Sequence, residues 1–284
     1  MTHRTMTTRK RLLPLAIATT ASLGSLSITA QAQSETGMKL DPVVVSATRS
    51  ETSVSETARS VTVVDRQQVA QQAKISRNLT DLLEQTVPGM GPSSESLSNF
   101  GQTMRGTSFL VLIDGIPQST PLRDGGRGLN SISTSAIERI EVIRGGTAVY
   151  GFGAKGGVVN IVTKEAGSEP VEGYSEVGGR FSTEHFDDSL DYETEHRVSG
   201  TNGNWDYVLS GSYVERGGRF DSEGDRIPPN GPGGTQGGLA DTSEYNLLAK
   251  TGYSFDGGTQ RFEFMINRFD NEQDSNYTFS AAQG

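Results

Sequence analysis

The sequence predicts two structural units in series: a small mixed α/β domain over residues 60–169 and an array of antiparallel β-strands over residues 170–284. Three observations predict this. Hydrophobic residues make up only 33% of the 284-residue chain and glycines number 35, a composition of turns and half-exposed strands rather than one large compact core. Between residues 60 and 164, short β-branched runs alternate with two helix-like stretches. Beyond Pro170 the pattern becomes a two-residue alternation of apolar and polar side chains, punctuated by Asn-Gly and Asp-Gly turns.

Ahead of both units lies an export signal. Arg4, Arg9, Lys10 and Arg11 form a basic start, residues 12–28 a mainly apolar run, and Ala30-Gln31-Ala32 a small-residue cleavage site. Pro14, Gly24 and several Ser and Thr dilute the run below what a spanning helix needs, so cleavage after Ala32 is expected rather than anchoring. Removing four of the 25 basic residues and none of the 34 acidic ones leaves a formal charge of −13, which argues against nucleic acid as a partner. With no cysteine there is neither a disulfide framework nor a thiolate zinc site. Residues 33–59 are rich in Ser, Thr and Glu and read as a linker, interrupted by one β-branched island, Asp41, Pro42, Val43, Val44, Val45, Ser46 and Ala47.

In the α/β unit, residues 60–64 read as a strand, a helix follows Asp65, and a second helix around Leu79, Leu82 and Leu83 stops at Pro88-Gly89. Two β-rich pieces come next, residues 103–105 and 109–114, the latter closing on Asp114-Gly115. Ser135 is a plausible cap for a short helix that feeds a strand over residues 140–144, and residues 158–163 form another strand. Between these two strands, Gly151, Gly153 and Gly156 match G-x-G-x-x-G. A dinucleotide site needs a helix to leave that turn, whereas the residues after Gly157 are β-branched, so a structural turn with Tyr150 as an apolar peg is expected.

In the strand array, Tyr245, Leu247, Ala249, Thr251, Tyr253 and Phe255 fall on one face, and Glu244, Asn246, Lys250 and Ser254 on the other. Trp205, Tyr207, Leu209 and Tyr213 repeat the pattern. Asn202-Gly203-Asn204 and Asp256-Gly257-Gly258 make short turns, while residues 217–240 make a long polar loop. Short turns at one end, long loops at the other and aromatic residues near strand ends point to an outer-membrane barrel; a soluble β-sandwich is the competing reading. Glu184, His185, Asp187, Asp188 and Asp191 cluster in sequence, but their spacing suits no metal-ligand loop or helix. With His185 and His196 the only histidines after the export signal and no nucleophile elbow, no enzyme constellation is present, and no metal or cofactor is expected.

Taken in order, the export signal, the island of Asp41 to Ala47, Val87-Pro-Gly-Met90, Met104-Arg-Gly106, Val111-Leu-Ile-Asp-Gly115, Ile137-Glu-Arg-Ile-Glu-Val-Ile-Arg-Gly145 and Gly156-Gly-Val-Val-Asn-Ile-Val-Thr-Lys164 resemble the TonB-dependent outer-membrane receptors. The resemblance implies an α+β plug domain followed by antiparallel strands of an outer-membrane β-barrel, 22-stranded in the full-length family. It implies active uptake of a scarce nutrient, by default a ferric siderophore, powered through TonB of the inner-membrane energy-transducing complex. Asp41 to Ala47 then resembles the TonB box, a segment suited to strand addition on a partner's sheet edge. Arg105 and Arg144, both followed by glycine, resemble plug arginines that latch onto glutamates of the barrel wall, here expected beyond Gly284. Ligand contacts are expected from plug loops over residues 93–102, including Phe100 and Gln102, and 118–130, including Arg123 and Arg127.

Residues 170–284 have room for about five strands, whereas 22 strands of about ten residues need roughly 220 before loops are counted. The chain therefore reads as the N-terminal part of a longer receptor. The alternative is a non-transporting, plug-like binding module in the periplasm or outer membrane.

Overall fold

A computed structural model describes residues 43–44, 52–53, 60–93, 99, 101–118, 128–150, 153–228 and 239–274. Asp41, Pro42, Val45, Ser46, Ala47, Phe100, Arg123, Arg127 and Gly151 lie outside the described residues, as does the export signal. Within the expected TonB box, β1 (Val43–Val44) pairs antiparallel with β2 (Thr52–Ser53).

The α/β unit begins with β3 (Ser60–Val64), a β-branched run that ends at Asp65. The Asp65 carboxylate accepts from the Gln68 amide at 2.9 Å while Gln68 Oε1 accepts from the Asp65 amide at 3.1 Å, a reciprocal cap that starts α1 (Arg66–Ala73). Asn78 caps α2 (Leu79–Thr86), accepting from the Thr80 amide at 3.0 Å, and Gly89, at φ 87°, turns the chain away. Next come β4 (Leu110–Ile113) and β5 (Ile116–Pro117), joined by Asp114 and Gly115 with φ of 47° and 79°, the doubly positive geometry that a two-residue hairpin turn requires. A 3₁₀ turn (Thr134–Ala136) leads directly into β6 (Ile137–Arg144), and β7 (Gly157–Thr163) follows.

These strands form one sheet in the order β3-β6-β7-β4-β5, in which only β4 and β7 run parallel. Leu79, Leu82, Leu83, Val111, Ile140 and Ile161 fill the core on the helix side, and Leu110, Leu112, Ile143 and Val158 fill the other. Burial on both faces explains why β4 reads as an unbroken apolar run without alternation.

Two expectations are corrected here. Residues 103–105 make only isolated bridges, Met90 to Met104 and Met104 to Thr107, because Arg105 and Gly106 adopt φ of 52° and 80° and turn the chain where a strand would continue. The cap of the short turn is Ser133 rather than Ser135, and Ile137-Glu-Arg belongs to β6. The glycine-rich segment is a hairpin loop between β6 and β7, closed by Gly145 N donating to Gly156 O at 2.8 Å and Thr147 N to Ala154 O at 3.1 Å. Tyr150 packs there against the cluster that contains Leu110 and Val158, and β7 rather than a helix follows.

The second unit comprises β8 (Glu172–Arg180), a single helical turn α3 (Phe186–Ser189), β9 (Asp191–Asn202), β10 (Trp205–Arg216), the short hairpin β11 (Arg219–Phe220) and β12 (Arg226–Ile227), β13 (Thr242–Phe255) and β14 (Gln260–Gln273). Among the described residues, five long strands pair antiparallel in the order β8-β9-β10-β13-β14. Gly203 (φ 61°) and residues 256–258 turn the chain tightly at one end, while α3 and the β11–β12 hairpin occupy the longer connections at the other.

Side-chain exposure on this sheet is inverted relative to a water-soluble sandwich. Val177, Leu209, Leu247, Phe262, Phe264 and Ile266 are more than half exposed, whereas Glu195, Ser210, Asn246 and Lys250 are buried against the α/β unit. Val208, Val214 and Leu248 are buried apolar residues on the inner face, and Leu248 joins the core of the α/β unit. An apolar outside with a polar inside is the arrangement of a strand wall between lipid and a polar lumen.

Candidate functional site

Where the α/β unit meets the strand wall, three polar attachments fix one to the other. The first centres on Arg77, in the link between α1 and α2, whose side chain is only 13% exposed. Its Nη2 donates to Glu193 Oε1 at 2.7 Å and approaches Glu176 at 3.5 Å, and its Nη1 lies 3.8 Å from Glu195. Glu176 stands on β8 and the other two on β9, with Glu176 opposite Glu195 and Gly178 opposite Glu193 in the register. A Cβ on Gly178 would come within 2.5 Å of Glu193 Oε1, so the glycine makes room for the carboxylate to reach the guanidinium. Beside this group, Arg180 Nη1 donates to Ile75 O at 3.2 Å.

The second attachment is built on Lys250 of β13. Its Nζ lies 3.3 Å from Thr163 Oγ1, 3.3 Å from Glu263 and 3.6 Å from Asp114. Asp114 is itself held by the Thr163 amide at 2.8 Å and hydroxyl at 2.6 Å, so the ammonium clamps the paired ends of β4 and β7. In the third, Asn267 Nδ2 donates to Ser131 O at 2.7 Å, and the Ser133 amide donates to Asn246 Oδ1 at 3.4 Å. Charge-assisted bonds across a polar seam are stronger individually than neutral ones.

The two expected latch arginines meet at a different place. Arg105 is exposed, and its backbone amide donates to Gly89 O at 2.8 Å; Arg144 is half-buried, and its Nη1 reaches Pro88 O at 3.5 Å. Both therefore gather on the Pro88-Gly89 turn, and among the described residues neither makes an ion pair. Among the described residues, the buried Nε of Arg144 has no hydrogen-bond partner. Gln102 is 5% exposed and fastens its loop inward, Nε2 donating to Thr80 O at 2.9 Å and Gly91 O at 3.1 Å, which leaves only its Oε1 without a partner.

The acidic segment forms a helical turn that the residue spacing does not suggest. Asp191 separates from it, accepting from Arg180 and Arg219 at 2.8 Å each and from the Gly217 amide at 2.9 Å. Among the described residues no group of three metal-ligating side chains gathers. Sequence reasoning missed Arg77. The signal available was three acids, Glu176, Glu193 and Glu195, on inward positions of the alternation, which together call for a cation from another element.

Lys164, just past β7, is 9% exposed, with Arg66 and Arg197 nearby. Burial, helped by these two guanidinium groups and opposed by Glu195 and Glu138, brings its pKa down from 10.5 to about 8. The folded state thus disfavours the ammonium. That cost is fully present below about pH 8 and fades as pH rises towards 10.5, so stability attributable to Lys164 rises across this window. Urea midpoints measured from pH 7.5 to 10 are expected to climb more steeply in the wild-type chain than in Lys164→Met; parallel profiles would contradict this assignment.

Residues 53–158 match the family model described as the TonB-dependent Receptor Plug Domain. The chain is 34% identical over 247 residues to the rhizobactin receptor of Rhizobium meliloti (strain 1021), an alignment that covers 86% of this chain and 32% of that protein. It is 33% identical over 244 residues to the ferric aerobactin receptor of Klebsiella pneumoniae, covering 85% and 32%. The vitamin B12 transporter BtuB of Vibrio vulnificus (strain CMCP6) matches 47% of the chain at 38% identity and 22% of its own length. A mutant ferric enterobactin receptor (PfeA) from Pseudomonas aeruginosa superposes with TM-score 0.54 at 25% identity, over 81% of this chain and 35% of that one. The copper transporter OprC, at 16% identity and TM-score 0.55 over 74% and 30%, shares the fold. The chain spans about a third of the length of the curated relatives it matches.

Proposed function

Because the chain belongs to the TonB-dependent receptor family through its plug domain, we propose that it forms the plug and first wall strands of an outer-membrane receptor for active uptake of a ferric siderophore. The observation that carries this reading is the inverted wall, apolar outside and polar inside, with a plug fastened to its inner face through Arg77 and Lys250. The ligand class is favoured by the relatives that align over most of the chain, whose names specify rhizobactin and ferric aerobactin. In this reading the role is transport rather than catalysis, and the protein reaches the outer membrane after cleavage behind Ala32.

TonB engages Asp41 to Ala47 by strand addition. Proline at Val44 removes a backbone donor from that strand. Val44→Pro is expected to abolish uptake while leaving chelate binding unchanged; uptake that persists would exclude the segment as the TonB contact. Arg105 and Arg144 latch onto glutamates of further wall strands, a role consistent with the lack of a carboxylate partner for either guanidinium among the described residues. Phe100, Gln102, Arg123 and Arg127 contribute to the chelate site on the plug loops. The deciding experiment is growth of an iron-starved deletion strain on a panel of ferric chelates with the gene restored. Growth on hydroxamate or catecholate chelates supports the reading, and rescue by none of them rejects it.

A further inference from the structure

Between α1, the 3₁₀ turn and Lys164 on the plug side and β8, β9 and β10 on the wall side lies a cavity of about 710 Å³. Seven basic and four acidic side chains line it. The acids are already engaged: the three glutamates face Arg77, and Asp191 holds Arg180 and Arg219. Of the remaining basic groups, Arg216 pairs with Glu244 and Arg66 with Glu138, which leaves Lys74 and Lys164, and Lys164 is the buried one. Among the described residues no acceptor lies within hydrogen-bond reach of its Nζ, and its nearest ring is Tyr174, 5.9 Å away. Two buried atoms on the same lining, Thr134 Oγ1 and Glu195 Oε1, have no hydrogen-bond partner among the described residues.

Buried polar groups are almost always paired, and two left open beside an ammonium without an acceptor specify the chemistry that would complete them around one cavity. An ammonium asks for an anion, a hydroxyl can donate to the same anion, and a free carboxylate oxygen asks for a donor. Carboxylate and hydroxyl on one small molecule meet all three needs. We infer that this cavity is a binding site for a small hydroxycarboxylate, its carboxylate held by Lys164 and Thr134 and its hydroxyl donating to Glu195 Oε1. The reduced proton affinity of Lys164 accords with this, since burial first, and then Arg197 and Arg66, disfavour an ammonium that a bound carboxylate would stabilise. The site lies beside the plug helices rather than on the plug loops proposed for chelate binding, and it does not depend on transport.

The chain contains no cysteine, so a single Val214→Cys substitution on the cavity lining gives a reporter free of background. In the full chain in detergent, an anionic methanethiosulfonate reagent is expected to modify this thiol about tenfold faster than a cationic one of equal size, the enrichment a cleft of one charge sign produces. Lys164→Met should remove that preference and Lys164→Arg should keep it. Millimolar malate should slow the modification several-fold and succinate, which lacks the hydroxyl, clearly less. Equal rates for the two reagents, together with no protection by malate, would overturn the proposal without touching the uptake reading. Equal protection by malate and succinate would refute the role of Glu195.

Discussion

Arg77→Ala is expected to weaken the attachment of the plug to the wall by about 3 kcal/mol, because removing one partner leaves the other charges buried and uncompensated. Three carboxylates, Glu176, Glu193 and Glu195, then face one another across a gap, with the Glu195 side chain only 4% exposed. Their repulsion opens the seam between β8, β9 and the link that joins α1 to α2. The readout is native-state proteolysis of the plug in urea, with the wall as internal standard. Adding Glu193→Gln to Arg77→Ala should recover part of the loss, which tests the pair directly rather than the packing of the arginine stem. A loss well under 1 kcal/mol would place the contact with ordinary surface ion pairs and remove it as an attachment.

Gly157→Ala should be more damaging still to the plug sheet, by about 3 to 5 kcal/mol from overpacking and backbone strain together. A Cβ at Gly157 would sit 2.1 Å from Ile143 O on the neighbouring strand and 2.6 Å from Met104 Sδ, at φ 149°. Neither neighbour can withdraw easily: Ile143 is in the middle of the sheet and Met104 is fully buried. Gly173→Ala is the matched control, since nothing lies within 4 Å of its Cβ position. Urea midpoints of the two variants should differ widely. Similar midpoints would mean that the β6–β7 pair can shift to accept a methyl group.

Elements whose determinants lie within a few residues were legible in the sequence. Asp65 and Gln68 announce the start of α1, Pro88-Gly89 the stop after α2, and the Asn-Gly and Asp-Gly turns the hairpins of the wall. The inner face of β13 could be read from Asn246 and Lys250, because a period of two is imposed by the pleat itself. What was illegible depends on partners far away in sequence. Arg77 meets Glu176 and Glu193 at separations of 99 and 116 residues, and no local pattern encodes either distance. The turn at Arg105 was missed for a different reason: a positive φ in an arginine is imposed by its surroundings, including the bond from its amide to Gly89 O, and not by its own preference. The choice between Ser133 and Ser135 as cap turned on two identical side chains two residues apart.

The strand order of the wall carries a kinetic consequence. Each long strand pairs with the one that precedes or follows it, so every pairing closes a short loop, apart from the longer connection between β10 and β13. The plug sheet does the opposite: β3 must find β6, joining residues 60–64 to residues 140–144 with both helices and β4 made in between. Loop closure penalises the second kind of contact and barely touches the first. The wall can thus grow one hairpin at a time while the plug is still searching for its register. Assembly of the pair then ends with Arg77 and Lys250 finding carboxylates, four of the five on wall strands already in place.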